Sequence, residues 1–206
     1  MNENNKTSGK QSFISEARRE QIIEAAIKTL DEIGYVKASL SQIAKRAGIS
    51  TALISYHFTD KNDLMNHLLM KLIERSELYI LERVRRESTV QGKLNAFILA
   101  SLDYQGKYHT HNAALIEIIF NARTPDNIPY YKLGDDEEEV LLHELKQILR
   151  NGQGSGDFGA FNVDVMATMI QGAIGEYMIN SVTTKKVDIE TYSSELVNII
   201  SKATKA

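Results

Sequence analysis

The side chains with the clearest chemical use lie between Leu40 and Phe58, in the stretch LSQIAKRAGISTALISYHF. Ile54 and Phe58, four residues apart, predict a short helix pinned to a core, with Thr51, Ala52, Ser55 and Tyr56 left on its outward faces. Short polar and aromatic groups of that kind suit a helix lowered into a major groove, where each base pair shows its own pattern of donors, acceptors and methyl groups. Lys45, Arg46, His57 and Lys61 stand around them as candidate phosphate contacts. Such contacts supply salt-dependent affinity, and base contacts supply the choice of sequence.

A second candidate is Glu117, a single carboxylate inside the apolar run AALIEIIF. A buried carboxylate is costly unless paired or protonated, so an unpaired one in a helical domain is a candidate ligand contact. Turned to solvent, or paired with an Arg or Lys, it would have only a structural use. Phe97, Tyr104, Tyr108, Phe120, Met169 and Tyr177 are candidate walls around it, and each is equally a core residue by pattern. Aromatic walls around a negative charge favour a lipophilic cation, and an acyl chain or other neutral lipid is the alternative. Other patterns carry no chemistry. His109 and His111 are spaced i, i+2, which does not converge on one helix face, and the glycine-rich NGQGSGDFGAF has no Lys-Ser/Thr pair to make a phosphate loop. With no Cys there is neither a thiolate nucleophile nor a zinc-thiolate site. No nucleophile, base and orienting group recur at a recognisable spacing, so the expectation is a binding protein with no cofactor and no metal, not an enzyme.

Positioning the first set of residues requires two short helices at a fixed angle. Ser39 and Gln42 have the form of a capping box, and Leu40, Ile43, Ala44 and Ala47 follow as an apolar stripe. Gly48 stands where a left-handed residue would end that helix, and Ser50 offers the N-cap of the next. A longer helix from Ser15 to Ile33 precedes the pair, with Ile22, Ile23, Ala26, Ile27, Leu30 and Ile33 on one side and Gly34 ending it. Arg18 and Arg19 on its first turns oppose the helix dipole, which points to another use, such as an anion; plain solvent exposure is the alternative. After Phe58, Thr59 is the expected cap of a helix from Asp60 to Glu87, long enough to link the hairpin to whatever follows.

At these residues the chain resembles the TetR family of transcriptional regulators, over about Ile22 to Leu64. Gly34, Ile43-Ala44, Ala47-Gly48-Ile49-Ser50, Phe58, Lys61 and Leu64 stand where that family's N-terminal pattern has them. The family commonly has a tyrosine where Ser55 stands. STALISYHFTDKN is most similar to the BetI-type branch, and the likeness fades after Leu64. The resemblance implies a dimer joined through a four-helix interface made by the last two long helices of each copy.

The 206 residues suffice for two small domains, and 43% hydrophobic with 25% charged residues is the balance of an ordinary soluble globular protein. The net charge of −3 is unevenly spread: through Lys61 there are 9 Lys+Arg against 7 Asp+Glu, and beyond it 15 against 20. Residues 1–14 are polar and aperiodic, an expected disordered arm without a signal peptide's apolar core, and no apolar run would span a bilayer. A cytoplasmic location follows as an expectation. Past Glu87 the pattern stays helical: Gly92–Tyr108, a break at KYHTHN, Ala113–Ala122, a proline-bearing loop from Arg123 to Gly134, an acidic opening at Asp135–Glu139 of a helix ending near Gly152, then Val163–Val182 and Ile189–Ala203. The whole predicts an all-α chain: an arm over 1–14, a helix-turn-helix domain over 15–61, and a ligand-binding and dimerisation domain over 62–206. The expected function is a homodimeric repressor that reads a palindromic double-stranded DNA operator, is released by a small hydrophobic inducer, and has no membrane partner. The alternatives are a ligand-independent architectural DNA-binding factor and a helical small-molecule-binding protein without DNA function.

Overall fold

The computed structural model describes residues 4–132 and 139–206, and every regular element among them is helical, the class expected from the periodicity. In chain order these are α1 (Asn4–Lys37), α2 (Leu40–Ala47), α3 (Thr51–His57), α4 (Lys61–Arg85), α5 (Val90–Lys107), α6 (His109–Asn121), α7 (Val140–Ser155), α8 (Val163–Ile179), α9 (Ser181–Lys186) and α10 (Ile189–Thr204), with a single 3-10 turn at Tyr130–Lys132. No helix among the described residues is long and apolar enough to cross a membrane.

Several boundaries depart from the periodic pattern, each for a local reason. α1 begins at Asn4 instead of Ser15. Residues 4–14 hold no proline to stop the backbone, and Phe13 and Ile14 are exposed. Residues 1–3 of the expected arm lie outside the described residues. Gly34, with φ 73° and ψ 167°, turns the chain sharply inside the α1 span, a conformation open essentially to glycine alone. The cap of α4 is Asp60, not Thr59: its Oδ1 accepts the Asp63 N–H at 2.9 Å, while Asp63 Oδ2 reaches back to the Thr59 N–H at 2.8 Å. A carboxylate there serves both the free N–H and the helix dipole, which a hydroxyl serves less well.

The expected break at KYHTHN narrows to Tyr108, and α6 starts at once with His109. α7 runs through Gly152 to Ser155 and stops at Gly156, whose φ is 79°. Gly152 is small because the Phe158 ring lies where its Cβ would be. The helix expected to reach Val182 stops at Ile179, because Asn180 turns its Oδ1 onto the N–H groups of Val182 and Thr183 at 2.9 and 3.2 Å and starts α9. Residues 135–138 of the expected acidic opening lie outside the described residues.

The described residues pack into two units. One holds residues 4–72 and 110–132 and the other 73–109 and 139–206, so packing divides the chain after Leu72 and again at Thr110. In the first unit Ile22, Ile27 and Leu30 of α1, Ile43 of α2, Ile54 of α3, Leu64 and Leu68 of α4 and Ile118 of α6 form one buried cluster. Each such side chain contributes about 1.5–3 kcal/mol when fully buried. The second unit has its own cluster, with Leu94, Phe97 and Ile98 of α5, Ile148 and Leu149 of α7, Ile170 of α8 and Ile200 of α10.

Candidate nucleic-acid interface

The hairpin is set by contacts that begin and end each of its helices. Ser39, extended at φ −131°, accepts the Gln42 N–H on its Oγ at 3.3 Å and donates its hydroxyl to Gln42 Oε1 at 2.9 Å. The reciprocal half of the expected capping box is thus a side-chain bond, not a bond to the Ser39 backbone N–H. Gly48 ends α2 at φ 68°, and the N–H groups of Gly48 and Ile49 return to the carbonyls of Lys45 and Ala44. Ser50 Oγ then accepts the Leu53 N–H at 3.2 Å and opens α3. Ile54 and Phe58 are buried, as their spacing predicts.

The C-terminal carbonyls of both short helices take donors from α1. Gln21 Nε2 donates to the Ala47 carbonyl at 2.7 Å, and Arg19 Nη2 to the His57 carbonyl at 3.3 Å, with its guanidinium 5.4 Å from the Phe58 ring centre. A helix C-terminus carries partial negative charge and unpaired carbonyls, so a cation there is favourable. Arg19 thus serves a helix C-terminus, where the sequence suggests an anion; its neighbour Arg18 bonds to Gln21 Oε1 at 2.7 Å. α2 is tied to α1 again by Arg46, whose Nε donates to Thr29 Oγ1 at 3.1 Å and whose Nη1 donates to Glu32 Oε1 at 2.8 Å, with Nη2 on the other carboxylate oxygen.

These ties leave a defined set of side chains outward. Thr51, Ala52, Ser55 and Tyr56 are all exposed on α3, Tyr56 at 80%, and Lys45 is exposed on α2. The other three candidate phosphate contacts each have partners or burial within the protein. Arg46 holds Thr29 and Glu32. His57 is buried, and burial first, then the charges of Arg19 and Arg18, lower its pKa below the usual histidine value. Lys61 donates to the Tyr35 carbonyl at 2.6 Å with its ammonium 4.1 Å from the Tyr35 ring centre, and burial lowers its pKa. Sequence spacing reports a charge near a helix but not the acceptor that claims it.

The seven candidate ligand residues divide between the two units. Glu117 and Phe120 belong to the first unit, and Phe97, Tyr104, Tyr108, Met169 and Tyr177 to the second. The Glu117 carboxylate is partnered: its Oε2 accepts the Tyr35 backbone N–H at 2.7 Å and Asn121 Nδ2 at 3.3 Å. The premise of an unpaired charge fails. Phe120 is half exposed and stacks on Tyr131 at 5.8 Å. Phe97 is packed core; Tyr177 is buried against Tyr192 at 4.7 Å; Met169 is 56% exposed. Tyr104 lies between Tyr79 and Tyr108, with centroids at 5.3 and 4.8 Å. Its hydroxyl is buried without a hydrogen-bond partner among the described residues, and burial pushes its pKa up to about 12. A surface hollow of about 500 Å³ in the second unit is lined by Arg83, Arg86, Asn95, Leu99 and Asp103 among others, and by none of these seven.

Comparison with known proteins places the hairpin in context. Residues 22–68 match the family described as bacterial regulatory proteins, tetR family. The HTH-type transcriptional regulator BetI of Pectobacterium atrosepticum is 36% identical over 88 residues, which are 42% of this chain and 45% of that protein. BetI of Escherichia coli O17:K52:H18 is 32% identical over 131 residues, 62% of this chain and 66% of the relative. The first of these matches thus spans less than half of the relative's length. Among solved structures, the transcriptional regulator FadR from Bacillus subtilis, in complex with stearoyl-CoA, is 26% identical, with a TM-score of 0.69 covering 88% of this chain and 96% of that one.

Proposed function

The chain belongs to the TetR family of bacterial regulatory proteins, and from that premise we propose that it is a DNA-binding transcriptional repressor, acting as a homodimer on a palindromic operator. The observation that carries the reading is the outward set on α3, Thr51, Ala52, Ser55 and Tyr56, on a helix whose two ends are capped and whose inner face is buried. Lys45 is the phosphate contact beside it. Regulation, not catalysis, is what the relatives' names carry as well.

Two readers on one palindrome stand about 34–36 Å apart, or a multiple of that distance. The dimer contact proposed here uses α8 and α10. Val165, Met169, Gly172 and Ile179 recur on one side of α8, the three large ones exposed, and Ile199 is exposed on α10. An apolar stripe of that extent is what a second copy would cover.

Release is by a small hydrophobic ligand. With Glu117 already partnered, an acyl chain is favoured over a lipophilic cation, and the likeness to a regulator solved with stearoyl-CoA supports the same class. The test is selection of bound fragments from random genomic DNA by the full chain, followed by challenge with fatty-acyl thioesters and hydrophobic cations. Selective recovery of a palindrome, released by acyl thioesters, is expected. Recovery of no preferred sequence would refute the repressor reading, and release by cations alone would refute the acyl class.

A further inference from the structure

Glu117 of α6 reaches a residue 82 positions back along the chain. Its Oε2 accepts the backbone N–H of Tyr35, and Asn121 Nδ2 donates to that oxygen at 3.3 Å and to the Glu117 carbonyl at 3.0 Å, which orients the carboxylate. Tyr35 follows Gly34, where the helical backbone is interrupted, and a Cβ built at Gly34 would stand 3.2 Å from that same Oε2. The Tyr35 carbonyl is taken from another side by Lys61 of α4. Both backbone groups of this one turn residue are therefore held by side chains from α6 and α4. Four residues on is Ser39, the cap of α2, and α2 passes through the Gly48 turn into α3.

We propose that Glu117 is a positioning residue for DNA reading: through the Tyr35 N–H, α6 holds the Gly34–Tyr35 turn and with it the angle at which the α2–α3 hairpin presents Thr51, Ala52, Ser55 and Tyr56. This rests on the DNA-reading function proposed above. Losing the clasp leaves the base-reading residues intact but lowers the fraction of molecules whose hairpin is set correctly, and apparent affinity falls with that fraction. The sign separates this role from bulk electrostatics, because removing a negative charge should on its own strengthen binding to a polyanion.

The experiment measures binding of the full-length chain to a fragment selected by the wild type, over a range of salt, at a temperature where helicity matches wild type. Glu117→Ala removes the acceptor, Glu117→Asp keeps the charge but falls a methylene short, and Glu117→Gln keeps the reach without the charge. A hydrogen bond to a charged group is worth enough for about a tenfold weakening in the Ala and Asp variants. The salt slope should be unchanged, and the Gln variant should stay within about threefold of wild type. Wild-type affinity in the Ala or Asp variant would overturn the proposal. So would a Gln variant as weak as Ala beside an Asp variant that binds normally, since charge and not the clasp would then be at work. Should Glu117→Ala fail to fold, Glu117→Asp decides alone. A wild type that selects no fragment would remove the DNA-reading function itself, a different failure from variants that match a competent wild type.

Discussion

The two packed units cap their helices alike and differ in what stands outward along one helix: short polar and aromatic side chains on α3, large apolar ones on α8. In the first, side chains terminate helices: Ser39, Ser50 and Asp60 cap N-termini, and Gln21 and Arg19 cover C-terminal carbonyls. In the second, Thr89, Asn162, Asn180 and Asp188 do the same at the N-termini of α5, α8, α9 and α10, the buried Tyr104 hydroxyl has no partner among the described residues, and large apolar side chains of α8 and α10 face outward. Under the proposed function, the satisfied ends of α2 and α3 make a fixed frame for the side chains that α3 presents. The outward apolar face of α8 is what a second copy would cover under the proposed function.

The contrast is broken most strongly by charge placed on α10. Leu196 is 8% exposed and Ile199 57%, three residues along the same helix. Leu196→Glu should bury an uncompensated carboxylate and unfold the second unit, whereas Ile199→Glu, like Met169→Glu, should leave the helical content unchanged and convert dimer to monomer. Circular dichroism with sedimentation separates the two outcomes. An Ile199→Glu protein that remains dimeric would remove α10 from the proposed interface.

In the first unit Phe58→Ala deletes a buried side chain between the Arg19 guanidinium and the His67 ring, and should cost about 3–5 kcal/mol in urea denaturation. Opposite signs are then expected from two polar deletions. Gln21→Ala strips the Ala47 carbonyl of its donor and should destabilise by about 1 kcal/mol, while Tyr104→Phe removes an unpaired buried hydroxyl and should be neutral or stabilising by about 1 kcal/mol. Equal losses in both would contradict a Tyr104 hydroxyl that gains nothing from its surroundings.

What could be read from residue order alone follows the same division. Ser39, Gly48 and Ser50 act on backbone groups within a few positions, so their roles were legible from spacing, as was the burial of Ile54 and Phe58. Arg19 was legible only as an anomaly, a cation at the wrong end of a helix, because the carbonyl it serves is 38 residues away. Glu117 stands out in the sequence as a carboxylate in an apolar run, but its partner is a backbone N–H, and a backbone donor has no sequence signature. For the same reason residue order does not show that Arg46 meets Thr29 and Glu32 or that Lys61 meets the Tyr35 carbonyl. In the second unit the pattern predicts α8 and α10 well, yet Asn180 ends α8 through a side-chain cap that an apolar stripe does not reveal.

The smallest effect expected is one of pH. His57 has a lowered pKa in the folded chain, so between that value and its ordinary one near 6.5 the unfolded chain binds more protons. Its contribution to stability is therefore fully present above the ordinary value and is lost as pH falls below it. His57→Gln should flatten that part of the stability profile, and Arg19→Ala should move it toward lower pH dependence by removing one of the charges that lowers the pKa. An unaltered profile in both variants would show that another group sets it.

The central claim is that the exposed face of α3 reads sequence while Lys45 supplies affinity without choice. Affinities of wild type, Tyr56→Ala and Lys45→Ala for a panel of single-base variants of the selected fragment test it directly. Tyr56→Ala should change the order of preference, by about 1–3 kcal/mol at the positions it reads, and Lys45→Ala should weaken every fragment alike with a shallower salt slope. An unchanged order of preference in Tyr56→Ala would contradict the account.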